Sequence, residues 1–139
     1  MKKLLASLLL ASSLCLAGCS ASESSSSVKG NLTRSGYEAT VYSATEAKAR
    51  ISGLNFEGID LTEAVYATKG SEDNADLFLV FFFSSIDVAT TFFERNNYEN
   101  MAMMHRYAES NLGKNLTVKV GTKNNTAYCG SETALSVAF

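Results

Sequence analysis

The chain has 139 residues, of which 46% are hydrophobic and 19% are charged. This length and composition are typical of one globular domain that can fold without metal or disulfide staples. The formal net charge of −2 disfavours nucleic acid and anionic lipid headgroups as partners, since both attract basic surfaces.

The first 18 residues have the pattern of a secretory signal peptide. Lys2 and Lys3 form a positive n-region, residues 4–16 are mostly apolar, and residues 16–19 read Leu-Ala-Gly-Cys. The apolar stretch is too short for a membrane-spanning helix. Removal of residues 1–18 leaves 10 of the 12 basic residues against 14 acidic ones, a net charge of −4.

Residues 16–19 resemble the lipobox of bacterial lipoproteins, in which the cysteine sulfur receives a diacylglycerol and the cysteine becomes the new N-terminus. The resemblance implies that Cys19 is lipidated and that the protein lies on the extracytoplasmic face of the cell membrane. Two acyl chains are enough for stable anchoring, whereas one gives only marginal binding. The alternative is an ordinary signal peptide with an accidental cysteine.

The residues after Cys19 predict a short tether and then one domain. Residues 19–27 combine the lipidated cysteine with a serine-rich stretch that has little to bury, so we expect a flexible tether there. Residues 28–139 are then expected to form a single domain.

The first half of that domain predicts a strand, a helix and a hairpin. Apolar and polar residues alternate after Gly36, and Ser43 with Glu46 forms a capping box for a helix that ends near Gly53. A second strand is predicted over 61–68. Residues 77–83 are apolar without a break, which predicts a central strand buried on both faces, so both faces of the sheet need a cover.

The second half predicts two helices and two strands. Ser84 and Asp87 form a capping box for a helix over 85–111, either continuous with a polar patch or broken at Asn96 and Asn97. A strand over 116–120, a turn over 121–125 and a strand over 126–129 follow. Gly130 is expected to end the last strand, and Ser131 to cap a helix over 132–139.

The predicted order is β-α-β-β-α-β-β-α, an α+β fold with a mainly antiparallel sheet of about five strands. Its first six elements match the split βαβ, or ferredoxin-like, order. With its lipobox, its serines, the aromatic strand leading into Ser84, and Gly130 in the closing strand, the chain resembles small uncharacterised lipoproteins of Gram-positive-type bacteria. That resemblance implies membrane attachment and an α+β domain, and it brings no catalytic residues or cofactor.

Few residues suggest catalysis or metal binding. His105 is the only histidine, so triads and multi-histidine metal sites are disfavoured. Met101 and Met104 beside it could attract Cu(I), although methionines at helical spacing usually fill a core. The carboxylates Glu94, Glu99, Asp73 and Asp76 lie in polar runs and are expected to be solvated.

One cysteine and three tyrosines are the remaining candidate functional residues. Cys15 leaves with the signal, so Cys129 has no intrachain partner, and core packing, an intermolecular disulfide and a reactive thiol all stay open. If Ala39, Val41, Val65 and Cys129 point into the core, strand parity places three tyrosines on the opposite face: Tyr42, Tyr66 and Tyr128. Such a face suits contacts that are partly apolar and partly hydrogen-bonded.

These observations favour a lipid-anchored, non-catalytic binding or protein-interaction domain, which could associate with itself through its sheet. An extracytoplasmic enzyme of unknown reaction is the alternative, and a methionine- and histidine-based metal-handling protein is a third hypothesis. The sequence implies no cofactor and no nucleic-acid partner.

Overall fold

The computed structural model describes residues 22–51, 53–70, 75–96 and 118–139. Within these ranges, five strands form one sheet with four helices on its two faces, which confirms the predicted α+β class. The strands are β1 (Glu38–Ser43), β2 (Leu61–Lys69), β3 (Asp76–Phe83), β4 (Val118–Lys123) and β5 (Thr126–Ser131). The helices are α1 (Ser25–Arg34), α2 (Ala44–Arg50), α3 (Ile86–Arg95) and α4 (Glu132–Ala138).

The sheet has the order β1-β2-β3-β5-β4, and all four neighbouring pairs are antiparallel. The helical connection through α2 therefore joins antiparallel neighbours, β1 and β2. A βαβ unit joins parallel strands, so the chain shares with the ferredoxin-like fold its element order but not its strand pairing. Helix α1 precedes that order.

The central strand β3 is buried along all eight of its residues, and burial of residues 77–83 confirms the prediction. Phe78, Val80 and Phe82 point to one face, where α1 and α4 cover them. Phe81 and Phe83 point to the other, where α2 and α3 cover them. The sheet is therefore covered on both faces, here named the α1/α4 face and the α2/α3 face, as its phenylalanine-rich strand requires.

Helix α1 was not predicted, and it overlaps the predicted tether over residues 19–27. Ser24 accepts a hydrogen bond from the Ser27 backbone N–H and caps the helix, while Val28 and Leu32 are buried. The helix ends in a Schellman motif, in which Gly36 has a φ of 89°. The expectation of a flexible segment up to residue 27 is therefore wrong from Glu23 onward, because Glu23 is hydrogen-bonded to Asn125 and the serines after it cap and form a packed helix.

Helix α3 differs from the prediction in its N-cap. Its N-cap is Ser85, whose hydroxyl accepts from the Val88 N–H, and not Ser84. It ends at Arg95 with Asn96 as its C-cap. The end at Arg95 agrees with the second predicted alternative, a break at Asn96 and Asn97, whereas Asn97 and the remainder of the predicted helix lie outside the described residues.

The last hairpin is longer than predicted. Strand β4 continues to Lys123, and the turn contains only Asn124, with a φ of 50°, and Asn125. Gly130 does not end β5; it pairs with Phe78 inside the sheet. The strand continues to Ser131, which caps α4 as predicted.

Candidate functional site

The three tyrosines predicted to share one face lie on two faces. Tyr42 and Tyr66 pack on the α2/α3 face, whereas Tyr128 packs on the α1/α4 face. Val80 pairs with Tyr128, and Val80 also pairs with Val65, so Tyr128 and Val65 share a face. The prediction was wrong because parity relates residues within one strand, while the pairing register relates one strand to the next.

Tyr128 contributes to packing. Its ring stacks on Phe78 with centroids 6.2 Å apart and lies 6.1 Å from the Phe139 ring. A Cβ at Gly121 would lie 2.8 Å from the Tyr128 hydroxyl oxygen, so the ring extends across β4 where that strand has no side chain. Tyr128 is therefore held between the sheet and the end of α4.

Tyr42 lies near the edge of the sheet beside a cation. The guanidinium carbon of Arg50 lies 4.7 Å from the centre of the Tyr42 ring, a cation–π contact. The two residues are brought together by the capping box, in which Ser43 and Glu46 each bind the other's backbone N–H. The Ser43 backbone and hydroxyl donors lower the pKa of Glu46. We name Thr40, Tyr42 and Arg50 the edge patch; Thr40 and Arg50 are exposed and Tyr42 is half-buried.

The edge patch borders a sheet edge that is open within the described ranges. Strand β1 pairs with β2 on one side, and none of the described strands pairs with its other side. Such an edge presents backbone N–H and C=O groups that can pair with another chain. Across the β1–β2 pair, Thr40 lies opposite Tyr66, so the patch places aromatic and hydroxyl-bearing side chains beside the edge that no described strand pairs with.

A buried carboxylate, that of Asp76, lies at the N-terminal end of the central strand β3. Asp76, the first residue of β3, is 8% exposed, contrary to its predicted solvation, because Tyr37 and Ser131 contact its carboxylate. The Tyr37 hydroxyl donates to Asp76 Oδ2 at 2.6 Å, and the Ser131 hydroxyl donates to Oδ1. Ser131 in turn accepts from the Ala134 N–H at 2.9 Å. The carboxylate thus ties α1's exit, β3 and the start of α4 together.

Burial shifts the pKa values of two side chains among the described residues. Desolvation, followed by the hydrogen bond to Asp76, raises the pKa of Tyr37. Burial raises the pKa of the Cys129 thiol to about 12. Cys129 is 2% exposed and lies in the core, as the packing alternative predicts, and its thiol stays protonated at neutral pH.

Glu23, here called the N-terminal entry to the domain, is held by the turn between β4 and β5. The Glu23 N–H donates to Asn125 Oδ1 at 2.6 Å, and Asn125 Nδ2 donates to the Glu23 carbonyl at 3.2 Å. Asn124 Nδ2 donates to Glu23 Oε1 at 3.0 Å. Asn125 is 7% exposed and also donates to the Phe83 carbonyl, so Glu23 is fixed directly to the sheet.

Several predicted residues lie outside the described ranges. These are Cys19 and the signal peptide, together with His105, Met101 and Met104. Among the described residues, no group of three or more histidine, cysteine, aspartate or glutamate side chains could hold a metal ion. None of the described helices is both long enough and apolar enough to cross a membrane.

Comparison of the chain with protein-family models, with curated proteins and with solved structures finds no match. The sites above are therefore defined by their geometry.

Sequence reasoning missed the residues that hold the N-terminal entry and the edge patch. Asn124 and Asn125 belong to the predicted turn over 121–125, and Arg50 is not among the predicted site residues. A signal for Arg50 was available, because the capping box at Ser43 places it seven residues later, two turns along a helix that starts next to Tyr42. Glu23 gave no comparable signal, since its partners are about a hundred residues away in the sequence.

Proposed function

We propose that this protein is a lipoprotein on the outer face of the cell membrane, and that its domain is a non-catalytic binding or interaction module. The observation that carries the proposal is the order of features at the N-terminus: Lys2 and Lys3, an apolar segment, and the lipobox ending at Cys19. Glu23, four positions after Cys19, is hydrogen-bonded to Asn125 of the domain. An anchor at Cys19 would therefore hold the domain beside the bilayer.

The edge patch supports the interaction role. Tyrosine and arginine side chains recur at the centres of protein interfaces. Here Tyr42 and Arg50 stand beside the open edge of β1, where a second strand could add to the sheet. Confinement to a membrane surface raises the effective concentration of partners, so a contact that is weak in solution can be occupied there.

Lipidation is tested by metabolic labelling with a palmitate analogue in cells that make the full chain. We expect label in the wild-type protein and in Cys15→Ala, whose cysteine lies inside the signal. We expect no label in Cys19→Ala, which should leave the membrane fraction or retain its signal. Labelling that persists in Cys19→Ala would contradict the lipoprotein proposal.

The interaction role is tested by crosslinking on intact membranes. The variant Tyr42→Ser/Arg50→Ser should lose crosslinked products, because it removes the ring and the cation of the edge patch. Lys119→Ser is the matched control, since Lys119 is an exposed residue of the other edge strand, β4. Circular dichroism and thermal melting check that both variants stay folded. Identical products from all three proteins would refute the role of the edge patch.

A further inference from the structure

One end of the sheet gathers the N-terminal entry, the β4–β5 turn and the start of α3. The Phe83 N–H donates to the Asn125 carbonyl at 2.9 Å, and the Ser84 N–H donates to the Asp60 carbonyl at 3.3 Å. Glu23 is bound to Asn125 at the same place. We name this the Glu23 end. The opposite end contains Lys69 and Asp76, which pair across β2 and β3.

The Glu23 end carries an exposed apolar side chain. Ile86 is 44% exposed, and it is the only large hydrophobic residue that is exposed in the described parts of the chain. It starts α3, two residues after Ser84. An apolar side chain in this position would be stabilised by removal from water, at about 25 cal/mol per Å² of apolar surface.

Covalent geometry limits how far the Glu23 end can lie from an anchor at Cys19. Glu23 lies four positions after Cys19, and four residue-to-residue steps span at most about 14 Å. The eight residues of β3 span seven intervals of about 3.3 Å, which places the opposite end about 23 Å further away. The hydrogen bonds to Asn124 and Asn125 prevent Glu23 from lengthening this link.

From these three observations we propose that the Glu23 end faces the lipid bilayer and that Ile86 contacts its headgroup region. The inference rests on the proposed lipidation of Cys19. Exposed carboxylates flank the contact, at Asp60 and Asp87, so the surface suits zwitterionic headgroups rather than anionic ones. The anchor supplies the attachment, and the domain contributes its orientation.

The orientation is measured with the full chain, purified from membranes and reconstituted into phosphatidylcholine vesicles that contain a lipid with a nitroxide on its headgroup. A fluorophore is attached to a cysteine introduced at Ser84→Cys, at the Glu23 end, or at Thr33→Cys, near the C-terminal end of α1. Both native positions are exposed. The parent protein should not react, because Cys19 carries lipid and Cys129 is buried.

We expect the nitroxide to quench the Ser84→Cys label several-fold more than the Thr33→Cys label. Adding Ile86→Ser to Ser84→Cys should reduce that quenching. An insertion of eight glycine and serine residues after Ala21 should narrow the difference between the two positions, since the longest link rises to about 43 Å.

Two results separate the possible failures. Equal quenching at both positions in protein whose Cys19 is lipidated would overturn the orientation alone. Labelling of the parent protein at Cys19, with failure to co-float with vesicles, would overturn the proposed lipidation and this inference with it.

Discussion

Replacement of Gly130 by alanine tests the packing at the centre of the sheet. A Cβ at this position would lie 2.7 Å from both Phe78 Cα and Phe78 Cδ2, and closer still to the Leu77 carbonyl oxygen. Two of these three atoms belong to the backbone of the fully buried strand β3, so relief requires the strands to separate. Overpacking of a core costs about 1 to 3 kcal/mol, and we expect Gly130→Ala to lose about 3 kcal/mol or more of unfolding free energy because backbone cannot rotate away.

Urea denaturation followed by circular dichroism measures this loss. Gly30→Ala is the matched control, because Gly30 lies inside α1 and its Cβ would meet only Arg34 Nη1, at 4.0 Å. Alanine there should stabilise the protein by about 0.5 to 1 kcal/mol through its higher helix propensity. A Gly130→Ala variant that unfolds within about 1 kcal/mol of the wild type would refute the close approach of β5 to β3.

Three other predictions concern the core. Phe81→Ala and Phe82→Ala should each lower the unfolding free energy by about 3 to 5 kcal/mol, since both rings are buried on opposite faces; denaturant titration in which either costs under about 1 kcal/mol would show that its face is uncovered. The pKa of Tyr37 is raised in the folded protein, so the folded protein keeps this proton to higher pH than the unfolded protein does. The free energy of unfolding should therefore fall as pH rises above about 10. Tyr37→Phe should reduce this fall in a plot of unfolding free energy against pH, and an unchanged slope would contradict the prediction. The pKa of Cys129 is raised to about 12, so a further loss of stability should begin near pH 9. Cys129→Ala should remove this loss. A wild-type melting temperature that stays constant from pH 8 to 10 would count against the prediction.

Much of the fold follows from local patterns. The apolar run of β3 required a central position with cover on both faces, and the capping box at Ser43 and Glu46 marked the start of α2. Both signals act over a few residues, so they can be read without knowing the tertiary structure. Ser131 likewise marked the start of α4.

The errors arise where distant contacts decide the outcome. Helix α1 has only Val28 and Leu32 as its buried apolar residues, so its serine-rich sequence was interpreted as a tether. Gly130 indicated the end of a strand, whereas in the structure the lack of a side chain allows β5 to approach Phe78. Neither reading could be corrected without the packing partners.

The candidate site was less predictable than the fold. Tyr42 and Tyr66 were correctly placed on one face, but the position of Tyr128 depends on the register between β3 and β5. The hydrogen bonds between Glu23 and the β4–β5 turn join residues about a hundred positions apart. Such contacts have no local periodicity, so a single sequence cannot reveal them.

Mass spectrometry of the mature protein extracted from membranes tests the central claim most directly. The account predicts an N-terminal peptide that begins at Cys19 and carries the mass of a diacylglyceryl group. Digestion that yields an unmodified peptide beginning at Cys19, or a mature N-terminus at another residue, would contradict it.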